Sequence, residues 1–474
     1  MNTASPNIET QLQARNHAVV LGGSLAGLLT ARVLSDHFER VTLIERDTFL
    51  PTTETRRGIP QANHVHGLMP RGRQILESLF PGLQEEMMLC DAPLFDMGND
   101  IAWLTPQGWG IKFKADVEFL SFTRPLLDLQ VRRRLRTNPR IRVMENSQAI
   151  GLVTGQSHCI AAALIKDGSS NTLQIPADLI VDATGRASRA PEWLRLLGYD
   201  APEEIVVNAH IGYASRLYKI PENFTADWKC MILQAAPPAI KRGGLIFAVE
   251  GNRWLLTLIG GGRDYPPKEE EAFLDFTRSL QDPAIYEAVK RATPLTPIKT
   301  HRGTENRLRR FDKLTNQPQN FVVLGDAYCA FNPVYGQGMT IAAMGAMALD
   351  QCLRERKSGN LATRFHKKLA KVTDAPWMMA TSQDYRYRET EGGALTLKNR
   401  FMHRYMDQIL KLATFDTSVR YVLLQAFGML VPPTALFRGS IVSKVIRQAI
   451  TGQRPKSETR RTAQRQMIYD TGGD

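Results

Sequence analysis

Two histidines, His64 and His66, flank a single valine in RRGIPQANHVHGL (56–68), just behind Gly58, Pro60 and Gln61. Imidazoles at this spacing can form half of a metal site, shuttle protons near neutral pH, or hydrogen-bond a loop to what it covers. No other His, Cys or carboxylate cluster lies close enough in sequence to complete a zinc set, so no metal is expected. The chain also lacks an obvious nucleophilic triad or pair of carboxylates. The loop is therefore expected to touch a bound group that carries the chemistry itself.

The elements around it say what that group is. HAVVLGGSLAGLLTARVLSDHFERVTLIERD (17–47) reads as a strand at Ala18–Leu21, a glycine turn, a helix from Leu25 to Asp36 and a second strand at Val41–Ile44. Gly22, Gly23 and Gly27 let backbone amides approach a pyrophosphate at a helix N-terminus. Ser24 takes the place of the middle glycine of G-x-G-x-x-G and offers a hydroxyl to the same phosphate. Glu45, beside Arg46 at the tip of the second strand, is placed to accept hydrogen bonds from a ribose.

Two further strand ends follow. DLIVDATGRASR (178–189) brings the strand Leu179–Val181 to Asp182 and to Gly185, where a tight turn is expected. NFVVLGDAYCAFNPVYGQGMTIAAMGAMALD (320–350) brings the strand Phe321–Leu324 to Gly325-Asp326, then a loop with Pro333, Gly336 and Gly338, then a helix rich in small residues. The start of that helix is another candidate anion site.

In this order the three segments resemble the Gly-rich βαβ, DG and GD fingerprints of FAD-dependent monooxygenases of the para-hydroxybenzoate hydroxylase class. The finer patterns are R-x-G-x-P-Q-x-x-H-x-H, D-A-T-G-R-x-S-R and G-D-A-x-C-x-F-N-P-x-Y-G-Q-G-M. They resemble bacterial polyether-type flavin epoxidases and related FAD-dependent oxidoreductases, over roughly residues 17–355.

The resemblance implies an α/β fold: a Rossmann-like FAD-binding domain of glutathione-reductase type (17–90, 120–200 and 301–357), an inserted β-sheet substrate domain (91–119 and 201–300), and a C-terminal helical region with a loose tail (358–474). It implies that Gly22, Gly23, Ser24 and Gly27 face the FAD pyrophosphate and Glu45, with Arg46, the adenosine ribose. Arg124 in SFTRPLLDLQVRRRL would lead a helix beside the cofactor, with Asp182, Gly185, Gly325 and Asp326 along it. Pro333, Gly336 and Gly338 would border the flavin ring, with Gln61, His64 and His66 as a facing wall.

The implied activity is insertion of one oxygen atom from O2 into an apolar organic substrate, by epoxidation or hydroxylation through a flavin C4a-hydroperoxide. NAD(P)H serves as a transient reductant. A reductase of isoprenoid-like substrates uses the same fingerprints and stays open. A halogenase is disfavoured, because its Trp-x-Trp-x-Ile-Pro stretch is missing, and so is a non-catalytic escort on the FAD fold. Trp103, Trp109, Phe247 and Trp254, in two strand-like stretches (100–113 and 245–261), are the expected pocket lining, with core packing as the alternative.

Bulk properties agree with a soluble enzyme. Of 474 residues 43% are hydrophobic and 23% charged, and five scattered cysteines without C-x-x-C spacing suit a reducing cytoplasm. The net charge of +13 comes without a nucleic-acid motif, so no nucleic-acid partner is expected. The first sixteen residues read as a polar tail rather than a signal peptide, and the last twenty or so as disordered. No window is apolar enough to span a bilayer. The basic helical C-terminal region is expected to form a lid or to rest on an anionic membrane surface.

Overall fold

Uninterrupted apolar runs become strands buried on both faces. In the computed structural model, which describes residues 15–56, 58–156, 158–355, 357, 359–452 and 468–469, four largely buried strands and a half-buried edge strand form one parallel sheet. Its order is Phe321–Val323, Leu179–Asp182, His17–Leu21, Arg40–Ile44 and Ile141–Met144. The helices Leu25–Leu34 and Gly338–Arg354 pack against each other, with Ala342, Ala343 and Ala346 of the latter buried. Most of the polar tail expected at 1–16, and nearly all of the charged end beyond 452, lie outside the described residues.

A second, seven-stranded sheet draws its strands from 101–109 and 212–301. Its order is Lys299–His301, Gly212–Lys219, Arg253–Gly260, Arg242–Val249, Cys230–Leu233, Ile101–Thr105 and Gly108–Trp109. Side chains alternate between its faces with period two. One face carries Ala214, Tyr218, Ile246, Trp254 and Leu256, and is covered by Phe273 and Ile285 of two short helices. The other presents Trp103, Phe247 and Cys230, together with Tyr213, Ser215 and Thr257, which follow the same alternation.

This alternation corrects the expected pocket lining. Trp103 and Phe247 share one face, but Trp254 sits out of phase with them on the opposite face, stacked on Trp228 with Phe224 edge-on. Trp109 packs against that opposite cluster too.

The hairpin between the two long strands turns at Glu250-Gly251-Asn252, with Gly251 and Asn252 at positive φ. Glu250, at its tip, reaches into the other domain. Its carboxylate accepts from the amide and hydroxyl of Thr123 at 2.9 and 2.6 Å, at the head of the helix Arg124–Arg136. Beyond residue 360 come the helices Leu361–Asp384, Leu397–Leu412, Thr417–Phe427 and Gly439–Thr451. Leu424 of the third packs into the layer of Trp103 and Phe247. Among the described residues no helix is long and apolar enough to cross a membrane.

Gly27 fixes the approach of the first helix to its strand. A Cβ there would lie 1.7 Å from the Gly22 carbonyl oxygen, so any side chain must pry the turn open. Gly27→Ala is expected to lower unfolding stability by about 2 kcal/mol, measured by urea denaturation. Gly338→Ala, whose nearest neighbour would be Asp326 Oδ1 at 3.9 Å, should leave stability unchanged.

Candidate functional site

The glycine turn is clamped from outside. Gly22 has φ +100°, and a Cβ there would stand 2.5 Å from the Ala183 carbonyl, where the two strand ends meet. The Gly23 amide donates to Glu45 Oε2 at 2.7 Å and the Asp47 amide to Oε1 at 2.9 Å, while Arg56 Nη1 stands 3.4 Å from the same carboxylate. Glu45 thus ties the turn to the end of the second strand while lining the cleft beside it. That cleft is bounded by Gly22, Gly23, Ser24, Glu45, Ala183 and Trp193, with the exposed Arg46 at its rim.

Ser24 accepts a hydrogen bond from Arg124 Nη2 at 3.1 Å, which leaves its own hydrogen free for the cleft. Arg124 is the first residue of its helix and 5% exposed, and its Nε donates to Asp128 Oδ1 at 2.7 Å. Arg56 and Arg132 lie over the Phe49 ring, 4.8 and 4.9 Å from its centroid. Three buried arginines (56, 124, 132) thus face two buried acids (45, 128), leaving a surplus positive charge beside the turn.

The second and third strand ends behave differently from one another. Asp182 is fully buried and accepts from the Thr184 amide and hydroxyl at 2.9 and 2.6 Å and from the Ser188 hydroxyl. It therefore holds its own turn together rather than facing a ligand, and burial pushes its carboxyl up. At Gly185, φ is +82° and the space is open. Asp326, half-buried, makes no hydrogen bond among the described residues. Burial raises its carboxyl and the guanidinium groups of Arg186 and Arg124 pull it back. Gly325 brings backbone against Ala26, where a Cβ would come within 2.7 Å of the alanine methyl.

The loop before the Gly338–Arg354 helix is held from beneath by a buried network. Asn332 caps a short turn, Pro333–Tyr335, by accepting from the Val334 amide, and Tyr213 of the larger sheet donates to the same Asn332 oxygen. Asn306 Oδ1 accepts from the Asn332 amide at 2.8 Å, and Asn306 Nδ2 donates to Asp384 Oδ2 at 2.6 Å. Tyr335 donates to the other Asp384 oxygen. Burial pushes the Asp384 carboxyl up to about 7. Gly336 follows at φ +64°, and the helix N-terminus opens beside Asp326.

The two histidines part company. His64, 4% exposed, places Nδ1 2.7 Å from Ser215 Oγ, which lies 2.6 Å from Thr257 Oγ1, and Thr257 accepts from the Val65 amide at 2.9 Å. The loop is thereby pinned to the larger sheet, and His64 Nε2 is buried without a partner. His66 donates from Nδ1 to the His64 carbonyl at 2.8 Å, so its Nε2 carries a lone pair. It does not cap the following helix, whose N-cap is Met69. Burial lowers both rings, His64 to about 3 and His66 to about 4, the latter helped by the nearby Arg124. Gln61, on the short turn Pro60–Asn63, makes no side-chain hydrogen bond among the described residues, and the same residues contain no cluster of three or more His, Cys, Asp or Glu able to hold a metal.

Sequence reading did not single out Glu250, Arg56, Tyr213, Asn332 or Asp384. Arg56 and Asn332 stand inside the quoted motifs and were within reach. Glu250, Tyr213 and Asp384 act across more than a hundred residues or from a helix without a motif, and only the fold brings them in.

No protein-family model matches the chain. Among solved structures, the flavin-dependent brominase Bmp2 aligns at TM-score 0.64 with 14% identity, over 91% of this chain and 100% of its own. PqsL of Pseudomonas aeruginosa, described as a probable FAD-dependent monooxygenase, aligns at 0.58 with 18% identity, over 79% and 98%. These likenesses establish the fold, a Rossmann-like sheet with an inserted second sheet. By sequence, protein Rv3254 of Mycobacterium tuberculosis is 33% identical over 433 residues, 88% of this chain and 90% of that one. On that extent and identity, the chain belongs to the family of protein Rv3254.

Proposed function

We propose that the protein is an FAD-dependent monooxygenase that oxygenates an apolar organic substrate with O2, drawing electrons from NAD(P)H. One observation carries the reading. A single track of polar groups with spare hydrogen-bonding capacity runs from the Ser24 hydroxyl past Arg124 and Asp326 to the N-terminus of the Gly338–Arg354 helix. The surplus cation beside the turn suits a pyrophosphate. The same fold in FAD-dependent enzymes supports the cofactor.

Bound FAD supplies the redox and oxygen chemistry. The protein positions and shields it. The N-terminus of the 17-residue Gly338–Arg354 helix would favour negative charge on a group held against it. His66, neutral and with its Nε2 lone pair free, offers an acceptor and no positive charge. His64 braces the loop, while Trp103, Phe247, Leu424 and Phe427 keep water from the face where an apolar substrate would lie. A reductase of isoprenoid-like substrates is the second reading, and it needs no oxygen. Halogenation fits less well, since the Trp-x-Trp-x-Ile-Pro stretch is missing.

Purified protein should be yellow, with flavin absorbance, and should consume O2 with NAD(P)H. A colourless protein that does not bind added FAD sinks the proposal, and full turnover without oxygen turns it to the reductase. Arg124→Met, which removes the partner of Ser24 and Asp128, is expected to weaken FAD binding by about tenfold or more by fluorescence titration.

The pH dependence has a definite sign. His64 and His66 have folded-state values below the ordinary 6.5, so the unfolded chain takes up protons first as pH falls. Their contribution is complete above about 6.5 and is lost as pH drops toward 4. Melting temperature should decline over that window, and His64→Gln should flatten the decline.

We further propose that the C-terminal helices rest on an anionic bilayer. Leu397, Phe401, Ile446 and Ile450 are 81, 67, 54 and 80% exposed, with Lys398, Arg400, Arg404 and Arg447 among them. The protein should sediment with phosphatidylglycerol-containing vesicles, not with pure phosphatidylcholine, and come off in about 0.5 M salt. Binding that survives Phe401→Glu combined with Ile450→Glu would count against this surface.

A further inference from the structure

Arg420, on the Thr417–Phe427 helix, is 1% exposed, yet among the described residues no carboxylate pairs with it. Its Nε and Nη2 are buried with no acceptor in reach. Desolvation alone lowers it, to about 10, and no neighbouring charge offsets that. Asp416, one helical turn back, is engaged with Lys444. An isolated buried guanidinium is costly, and proteins rarely keep one without a partner.

The position is built rather than incidental. The guanidinium lies directly on Gly110, where a Cβ would come within 1.4 Å of Nη1 and 2.2 Å of Cζ, so a side chain there would displace it. Gly110 is fixed by its amide donating to the Trp103 carbonyl at 3.0 Å, and Ile111 by donating to the Ala413 carbonyl at 3.1 Å. Helical spacing puts Arg420, Leu424 and Phe427 on one face. Leu424 is packed in the apolar layer with Trp103 and Phe247, the Phe427 ring lies 5.2 Å from that of Trp103, and Val65 of the histidine loop packs against the same layer. A continuous apolar layer therefore joins the histidine loop to a buried cation.

We infer that Arg420 is a substrate-binding residue, and that the substrate is a long apolar or aromatic acid whose carboxylate pairs with it while its apolar body lies along Trp103, Phe247 and Leu424. This rests on the oxygenase reading for the site's purpose, but the binding itself can be tested without it. A carboxylate received by two guanidinium nitrogens supplies the acceptors that Nε and Nη2 lack.

The test compares linoleic acid with linoleyl alcohol, binding to the FAD-loaded full-length protein as followed by tryptophan fluorescence and calorimetry, with flavin absorbance read on the same samples. Wild type should bind the acid at least about tenfold more tightly than the alcohol. Arg420→Met should bring the two affinities together, keep its flavin, and melt no lower than wild type, because it removes a buried unpaired charge. Equal affinities in wild type, or an acid preference that survives Arg420→Met, would overturn the assignment and leave Arg420 a packing residue. If Arg420→Met does not fold, Arg420→Lys, which keeps the charge, decides together with the wild-type ratio: a ratio near one in either overturns the proposal. A protein that prefers the acid but holds no flavin would remove the oxygenase reading and leave the Arg420 site standing.

Discussion

The site depends on the way Arg124 is held between two sheets. Its helix is capped from the larger sheet through Glu250 and Thr123, its Nε is fixed by Asp128 one turn on, and its Nη2 meets Ser24 on the glycine turn. A single side chain thus registers the nucleotide end of the cleft against the sheet that would cover the substrate. The bonds to Asp128 and Glu250 are short and buried, where charge-assisted pairs are strongest and their loss most costly. The hairpin tip has to carry an acid for this, which gives Gly251 and Asn252, at positive φ, their purpose: they turn the chain so that Glu250 points back across the interface.

Around that pivot the buried charges are arranged so that none of Glu45, Arg56, Arg124 and Asp128 stands alone. Glu45 meets two amides and Arg56, and Asp128 meets Arg124 with Arg56 4.0 Å away. This mutual satisfaction lets ionised groups sit in a low-dielectric interior, and it sharpens the contrast with Arg420, which has nothing comparable. The histidine loop follows the opposite strategy. Burial keeps both rings neutral, so they hydrogen-bond without adding charge.

Much of the fold was legible in the sequence because its signals are local. Apolar runs marked the parallel strands, and the glycines marked the turn. The site was legible only in part. The motifs led to Ser24, Glu45, Arg124 and Asp326, but Asp182 turns inward to its own loop, and Trp254 faces the wrong side of its sheet. Register settles the tryptophan: a shift of one residue moves a side chain to the other face, and hydrophobicity is the same on both. Asp384 escaped because it works at long range, from the end of a helix without a motif.

The Asp384 network shows what such long-range residues contribute. Asn332, Tyr335 and Tyr213 belong to different strands and loops, yet all converge, through Asn306 or directly, on one carboxylate that is wholly buried. A buried carboxyl raised to about 7 is protonated through most of the acidic range, and can then donate as well as accept. The Tyr335 hydroxyl donates to the ionised acid and can accept from the protonated one, so the 333–336 turn can keep a bond to this carboxyl in either state. The turn that shapes the helix N-terminus is thus tied to Asp384 directly through Tyr335 and, through Asn332 and Asn306, a second time.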